Sequence, residues 1–421
     1  MGFADEVERC HGCSKCTTVT SATRMCPVYK ITRREEATPK AKANILRALI
    51  SGAVTERTLF ESTFQAVIKL CANCGSCYHE CPSGVNIPKM AIEARAGYIH
   101  KFGPGAADRL LTGVEAAARF FGGFSNALKP VLDLGFLRKA GEKLTGIAAE
   151  RDFIPFAPGS LLKTAKPVAC SGTPEVLYFA GCYANYIRPE IGTAAIAVMR
   201  KMGMRVHLPP QHCCGLPMLS KGMVSEAREK ITGNLEKWQA LIDRVDYIVV
   251  TCSSCGLALT REWRDIAGSV MIDKVADKTI LISRLVNRYA DRLNMAGLAE
   301  TVAYHSPCHL RAQKDSDSSL KMLDRIPGME TINLKSHCCG MAGTWGMTAD
   351  NFETSKRLGR HLIHLLNQSD AAFGVTDCPT CRMQMEQFGE KPVWHPIEVV
   401  AKVLGKNDYG SRDRNPVART P

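Results

Sequence analysis

Ten of the chain's 19 cysteines form two sets of five in register. Cys182, Cys213, Cys214, Cys252 and Cys255 recur as Cys308, Cys338, Cys339, Cys378 and Cys381, at offsets of 126, 125, 125, 126 and 126 residues. His212 and His337 share the 125-residue offset, so the tetrapeptide HCCG occurs twice. Self-similarity of this kind predicts a duplicated unit of about 125 residues. Within each copy, short apolar runs alternate with longer helical patterns. Residues 176–180, 205–208 and 247–250, and again 301–304, 331–334 and 372–375, read as strands; residues 189–203 and 223–244 read as helices. The alternation predicts a parallel sheet covered by helices in each copy. Every cysteine of the two sets then falls past the carboxyl end of a strand, where open α/β sheets build their sites.

Eight further cysteines lie between Cys10 and Cys81, and residues 82–169 contain none. Residues 71–82 read CANCGSCYHECP, the spacing C-x2-C-x2-C-x3-C-P that wraps an iron–sulfur cubane and sends its fourth cysteine to a second cluster. Cys10, Cys13, Cys16 and Cys26-Pro27 form the partner motif, with nine residues in its last interval. With the ferredoxin exchange of ligands, Cys10, Cys13, Cys16 and Cys81 hold one [4Fe–4S] cluster, and Cys26, Cys71, Cys74 and Cys77 hold the other. The loop 17–25 lengthens that interval without removing a ligand. Zinc also accepts four thiolates from C-x2-C pairs, but its knuckles rarely use three successive intervals ending in Cys-Pro. Around these motifs, residues 39–52 and 56–70 read as helices.

Five cysteines per repeat exceed what a tetrahedral zinc or a cubane requires. Adjacent cysteines such as Cys213 and Cys214 do not easily share one small ion, but they suit an enlarged cluster in which a thiolate bridges irons. The pattern C-x30-CCG-x36-C-x2-C, repeated as C-x29-CCG-x37-C-x2-C, resembles the cysteine-rich CCG domains of heterodisulfide reductase subunits and of the iron–sulfur subunits of anaerobic glycerol-3-phosphate dehydrogenase and glycolate oxidase. The resemblance covers nearly the whole chain. It is closest to the glycerol-3-phosphate type around Tyr304-His305-Ser306-Pro307-Cys308-His309, residues 338–344 and Thr376-Asp377-Cys378. Residues 25–30 with Arg33, Glu35, Glu36 and Asn44 are instead similar to the iron–sulfur modules of FAD-linked 2-hydroxyacid oxidases. The resemblance implies a noncubane [4Fe–4S] cluster on a five-cysteine set, hence one or two further clusters beyond the two cubanes. A zinc-bound or cluster-free repeat is the alternative.

The expected fold is α+β multidomain: a helical ferredoxin-like domain at 1–100, an amphipathic helical connector at 101–172, CCG repeats at 173–298 and 299–406, and a disordered tail at 407–421. His212, His305, His309 and His337 lie close to ligand cysteines and are candidates for hydrogen bonding to cluster sulfur or handling protons. For any one of them a satisfied structural histidine is the first reading, and Cys170 belongs to no motif.

Residues 1–8 offer no basic-then-apolar export segment, and the cysteine density is below that of disulfide scaffolds, so a reducing, cytoplasmic location is expected. The formal charge of +13 divides as +4 over residues 1–100, +4 over 101–170 and +5 over the rest. No nucleic-acid-binding pattern accompanies it. If the eighteen motif cysteines ligate clusters, thiolate charge would remove about ten of those units. In residues 106–148, Leu110, Phe120, Phe121, Phe124, Phe136 and Leu137 interleave with Arg109, Arg119, Lys129, Arg138, Lys139 and Lys143. Such helices suit an anionic membrane interface, or else a pair of helices packing the domains together.

Neither a Gly-rich dinucleotide fingerprint nor a phosphate-binding loop occurs, so no NAD, ATP or flavin of its own is expected. The economical reading is an electron-transfer subunit that takes electrons from a partner flavoprotein and delivers them to a membrane quinone at the inner face of the cell membrane. The resemblance implies glycerol-3-phosphate, glycolate or lactate as the partner's substrate. The alternative is a heterodisulfide-reductase-like catalytic subunit reducing a disulfide or quinone beside Cys308, Cys338 and Cys339.

Overall fold

A computed structural model describes residues 3–21, 23–165, 172–335 and 338–405. Cys170, His337 and the tail expected at 407–421 lie outside the described residues. Short helices and cysteine loops build the first hundred residues. Pro39–Ile50 starts where Thr38 Oγ1 accepts from Ala41 N at 3.1 Å and Pro39 takes the first helical position. Ser62–Lys69 follows a tight turn at Glu56–Phe60, so the helix expected over 56–70 is shorter than its pattern. Ile87–Phe102, capped by Asn86 and ended by Gly103, is a long helix that the cysteine spacing does not reveal. Met25, Leu46, Phe64, Ile68, Met90 and Ala91 form the core beneath these helices.

Each repeat contains a parallel four-stranded sheet. In the first, β1 (Glu175–Phe179), β2 (Arg205–His207), β3 (Tyr247–Val250) and β4 (Thr279–Leu281) lie in the order β2-β1-β3-β4. In the second, β5 (Thr301–Tyr304), β6 (Glu330–Asn333), β7 (Phe373–Val375) and β8 (Val393–Trp394) take the order β6-β5-β7-β8. The α+β multidomain expectation is met, with a fourth strand in each sheet beyond the three expected. The strand order reverses beside β1 and beside β5, which opens a crevice at their carboxyl ends.

Both faces of each sheet are covered, so inward and outward residues are alike apolar. Val176 and Tyr178 face a core shared with Val302, Tyr304 and Val375 of the other repeat. Leu177 and Phe179 face a second core around the stacked rings of Trp238 and Trp263. The contacts between repeats are reciprocal. Pro189–Lys201, which follows β1, packs on Pro396–Val403, which follows β8; Ile282–Arg288, which follows β4, packs on Ser318–Leu323, which follows β5.

Residues 106–145 of the connector form four short helices, Ala106–Thr112, Val114–Phe121, Ser125–Leu132 and Gly135–Thr145, in place of a pair. Beyond them Arg151 enters the second repeat. Its guanidinium donates to Gly346 O at 2.8 Å, Gln384 Oε1 at 2.7 Å, Gln387 Oε1 at 3.0 Å and Ser355 Oγ at 2.6 Å. The N-terminal domain touches both repeats: Ile92 packs with Met218 and Leu219, and Val28 with Trp345 and Leu358.

Candidate metal centres

The two N-terminal cysteine sets occupy different places. Cys26 caps Pro27–Thr32, Cys77 sits in Ser76–Glu80, and Cys71 and Cys74 lie on the loop before it, with Asn73 and Gly75 in left-handed backbone. These four line one hollow, walled by Val28, Ala37, Ile87 and Pro88, with Lys42 among them. Lys42 is buried and donates to Glu36 O at 2.9 Å and Ala37 O at 3.1 Å. Burial pushes the thiols of Cys26, Cys74 and Cys77 up, so their thiolates need cationic compensation. Lys42 provides some of it, as does Arg95, which donates to Cys71 O at 2.6 Å. Four thiols around an apolar-walled hollow fit a thiolate-ligated cluster.

Cys10, Cys13 and Cys16 lie on one exposed loop, close enough for the first two to act on the charge of the third. Cys10, Cys16 and Cys81 border the same apolar core. The extra residues between Cys16 and Cys26 are held by Glu80, whose carboxylate accepts from Thr23 Oγ1, from Arg24 N at 2.6 Å and from Met25 N at 3.4 Å.

In both repeats the five sulfurs form one chain of contacts in the same order. Cys182 meets Cys213, which meets Cys214, then Cys255 and Cys252. Cys308 meets Cys338, then Cys339, Cys381 and Cys378. Both thiols of each adjacent pair therefore point into one site, which suits an enlarged cluster better than a single ion. The glycine of each CCG is required by geometry. Gly215 has φ of 81° and Gly340 of 92°, and a Cβ on Gly340 would lie 2.0 Å from Ser355 O. Hydrogen bonds from Cys338 and Cys381 hold Cys339 down to about 5, and one from Cys381 holds Cys378 down to about 6. The tyrosine of each first strand caps its site alike: Tyr178 Oη meets Thr251 Oγ1 at 3.1 Å, and Tyr304 Oη donates to Asp377 Oδ2 at 2.7 Å.

The histidines divide by role. His305 is buried, and its ring nitrogen, Cys339 Sγ and Cys381 Sγ lie within 4.8 Å of one another. Burial, aided by Arg311 and Arg24, pushes it down to about 3, so it is a neutral imidazole. His309 joins three cysteine loops: it follows Cys308, its Nδ1 meets Ser254 Oγ at 2.9 Å between Cys252 and Cys255, and its Nε2 meets Asn73 O at 3.1 Å between Cys71 and Cys74. His212 turns instead to Glu115, with Nδ1 at 2.9 Å from Oε1. A cavity between the repeats lies beside Cys252 and Cys378, lined by Tyr183, Asp377, Arg382 and His395.

Sequence reasoning missed the charged side chains buried around these sites: Lys42, Arg95, Glu115, Arg151 and Arg311. Only the overall basic excess hinted at them.

Comparison with known proteins gives three matches along this framework. The family described as "4Fe-4S dicluster domain" matches residues 6–85, and that described as "Cysteine-rich domain" matches residues 176–260 and 302–386. Among relatives, the subunit designated C of the anaerobic glycerol-3-phosphate dehydrogenase of Escherichia coli strain K12 is 29% identical over 409 residues, covering 94% of this chain and 98% of that protein. The subunit designated B of the fumarate reductase (CoM/CoB) of Methanothermobacter marburgensis is 24% identical, covering 94% of this chain and 71% of its own. The subunit designated D of the dihydromethanophenazine:CoB–CoM heterodisulfide reductase of Methanosarcina barkeri is 21% identical, covering 95% and 94%.

Proposed function

Because this chain is an iron–sulfur electron-transfer subunit with one 4Fe-4S dicluster domain and two cysteine-rich CCG domains, we propose that it connects a partner flavin dehydrogenase to a membrane quinone. Clusters bound at its cysteines would supply one-electron storage. Cys10, Cys13, Cys16 and Cys81 would hold one cubane, Cys26, Cys71, Cys74 and Cys77 the other, and the two five-cysteine sets a larger cluster each. The observation that carries the reading is His309, which ties the Cys71–Cys74 loop to the cysteine loops of both repeats. His305 and His309, pushed down by burial to about 3 and about 4, would stay uncharged beside the clusters. The exposed Cys13 loop is the side open to a partner, and a dehydrogenase of the glycerol-3-phosphate, glycolate or lactate type fits there.

Delivery to quinone falls to the connector. Phe120, Phe136 and Leu144 are 72, 69 and 80% exposed, beside exposed Arg109, Lys139 and Lys143. A patch of this kind marks an interface, and its basic rim suits anionic lipid at the inner face of the membrane. No helix among the described residues is long and apolar enough to cross a membrane, so contact would be peripheral.

Iron and acid-labile sulfide analysis of anaerobically purified protein tests the cluster content; near-zero iron overturns it. Replacing Phe120 and Phe136 by Ser should reduce flotation with anionic vesicles at least about tenfold, since each buried Phe contributes about 1.5–3 kcal/mol. Reduction of the protein by dithionite should be unchanged. A second reading has the repeats themselves reduce a disulfide or quinone, but the cavity beside Cys252 and Cys378 does not reach Cys308, Cys338 or Cys339. That reading requires turnover by this chain alone with an artificial donor, and a fully loaded chain without turnover sinks it.

A further inference from the structure

The two repeats match in their ligands, in the order of sulfur contacts and in the tyrosine beside each site, yet they differ in buried charge. Three residues after the first cysteine, the first repeat has Asn185 and the second has Arg311. Asn185 Oδ1 accepts from Leu162 N at 3.1 Å, a neutral structural bond. Arg311 is 8% exposed, donates to Cys308 Sγ at 3.3 Å and is anchored by Ser306 O. Its charge also acts on Cys338, Cys381 and, across the joint with the N-terminal domain, Cys74. The joint is tight: a Cβ on Gly75, next to Cys74, would lie 3.0 Å from Ala312 Cβ, next to Arg311. Arg24 lies on the same side, and buried Arg151 acts on Cys339.

The first repeat is arranged with the opposite sign. There the buried charge acting on the cysteines is Glu115, 7% exposed, which acts on Cys213. Its cationic partners are Arg119 at 2.8 Å and Lys230 at 3.2 Å, with side chains 62 and 30% exposed, and exposed Lys237 touches His212. Buried charge acts through a low dielectric, while exposed charge is weakened by water and salt. A cluster's potential rises with positive charge and with hydrogen bonds to its sulfurs.

We propose that Arg311 makes the second repeat the more oxidising of two otherwise matched cluster sites, so that electrons shared between the repeats settle at the Cys308 site. This rests on the cluster content proposed above. Arg311 is a positioning residue: it acts through Cys308, and arginine keeps its charge at any working pH.

The test is redox titration followed by EPR on the anaerobic, full-length, cluster-loaded protein. Cys214→Ser and Cys339→Ser, which each alter one repeat, assign the signals. In the unsubstituted protein the signal altered by Cys339→Ser should titrate at the higher potential. Arg311→Gln should lower that midpoint by at least a tenfold change in the reduced-to-oxidised ratio, about 59 mV for one electron, and leave the other repeat in place. Arg311→Lys should keep most of the wild-type value. If Arg311→Gln loses iron, Arg24→Gln carries the test, with a smaller shift in the same direction. A reversed order in the unsubstituted protein, or an unmoved midpoint in a fully loaded variant, overturns the proposal. Iron sufficient for the N-terminal clusters alone overturns the cluster content, and this inference with it; full iron with reversed order overturns this inference only.

Discussion

Cys74→Ser should cost the protein about four irons per chain and one ferredoxin-type EPR signal, while the repeat signals persist. Cys74 lines the hollow with Cys26, Cys71 and Cys77, and its loop is pinned from outside by His309 and Ala312. Serine is nearly the same size, so the loop keeps its seat and the loss is chemical. In the proposed path electrons enter at the Cys13 loop and pass through the affected set, which His309 and Ala312 join to the repeats. Reduction of the repeat sites by a partner flavoprotein should therefore fall to background, while dithionite still reduces them. Iron counting, EPR and stopped-flow reduction check these three outcomes. Loss of every signal would show that the cysteine sets are not independent.

Arg151→Ala should destabilise the second repeat by about 3–5 kcal/mol, the cost of breaking a buried, multiply bonded charged group. Arg151 makes hydrogen bonds to Gly346, Gln384, Gln387 and Ser355 and lies 4.8 Å from the Phe352 ring centroid. Truncation leaves those acceptors buried beside a void. It also frees the end of the connector, because Gln387 Nε2 in turn donates to Glu150 O at 2.6 Å. Denaturant titration should show an early transition in the variant, with the N-terminal domain's transition unmoved. A shift under about 1 kcal/mol would mean that the connector docks by other contacts.

Cysteine spacing made the gathering of the thiols legible because it is a local constraint. The strands before Cys182 and Cys252 stood out because five and four apolar residues run to within one residue of the cysteine. β4 and β8 did not, since three and two residues show no countable period. Ile87–Phe102 buries Ile87, Met90, Ala91, Ile92, Ala94 and Arg95, which lie on more than one face and blur the stripe that marks a surface helix. The connector's glycines, at 113, 122, 123 and 135, mark where its helical pattern breaks into four pieces. Least legible were Lys42, Arg95, Arg151 and Arg311, because a lone Lys or Arg reads as surface until tertiary packing encloses it. Each acts on a motif cysteine. Part of the +13 is therefore interior charge set against thiolates, and the connector's cations remain for an outside partner.

The reciprocal packing of the repeats has a bearing on how such a chain can be divided. Helix against helix is exchanged in the same way on both sides of one apolar core, which is the arrangement of an isologous two-fold dimer written into a single polypeptide. Cut between β4 and β5, each half would bare the helices that meet there, Pro189–Lys201 and Ile282–Arg288 on one side, Ser318–Leu323 and Pro396–Val403 on the other. A one-repeat protein of this kind would hold together only as a pair, at the mercy of dilution. Covalent fusion replaces that equilibrium with an effective concentration of millimolar order. It also frees the halves to diverge, so that two sites born identical can carry Asn185 on one side and Arg311 on the other.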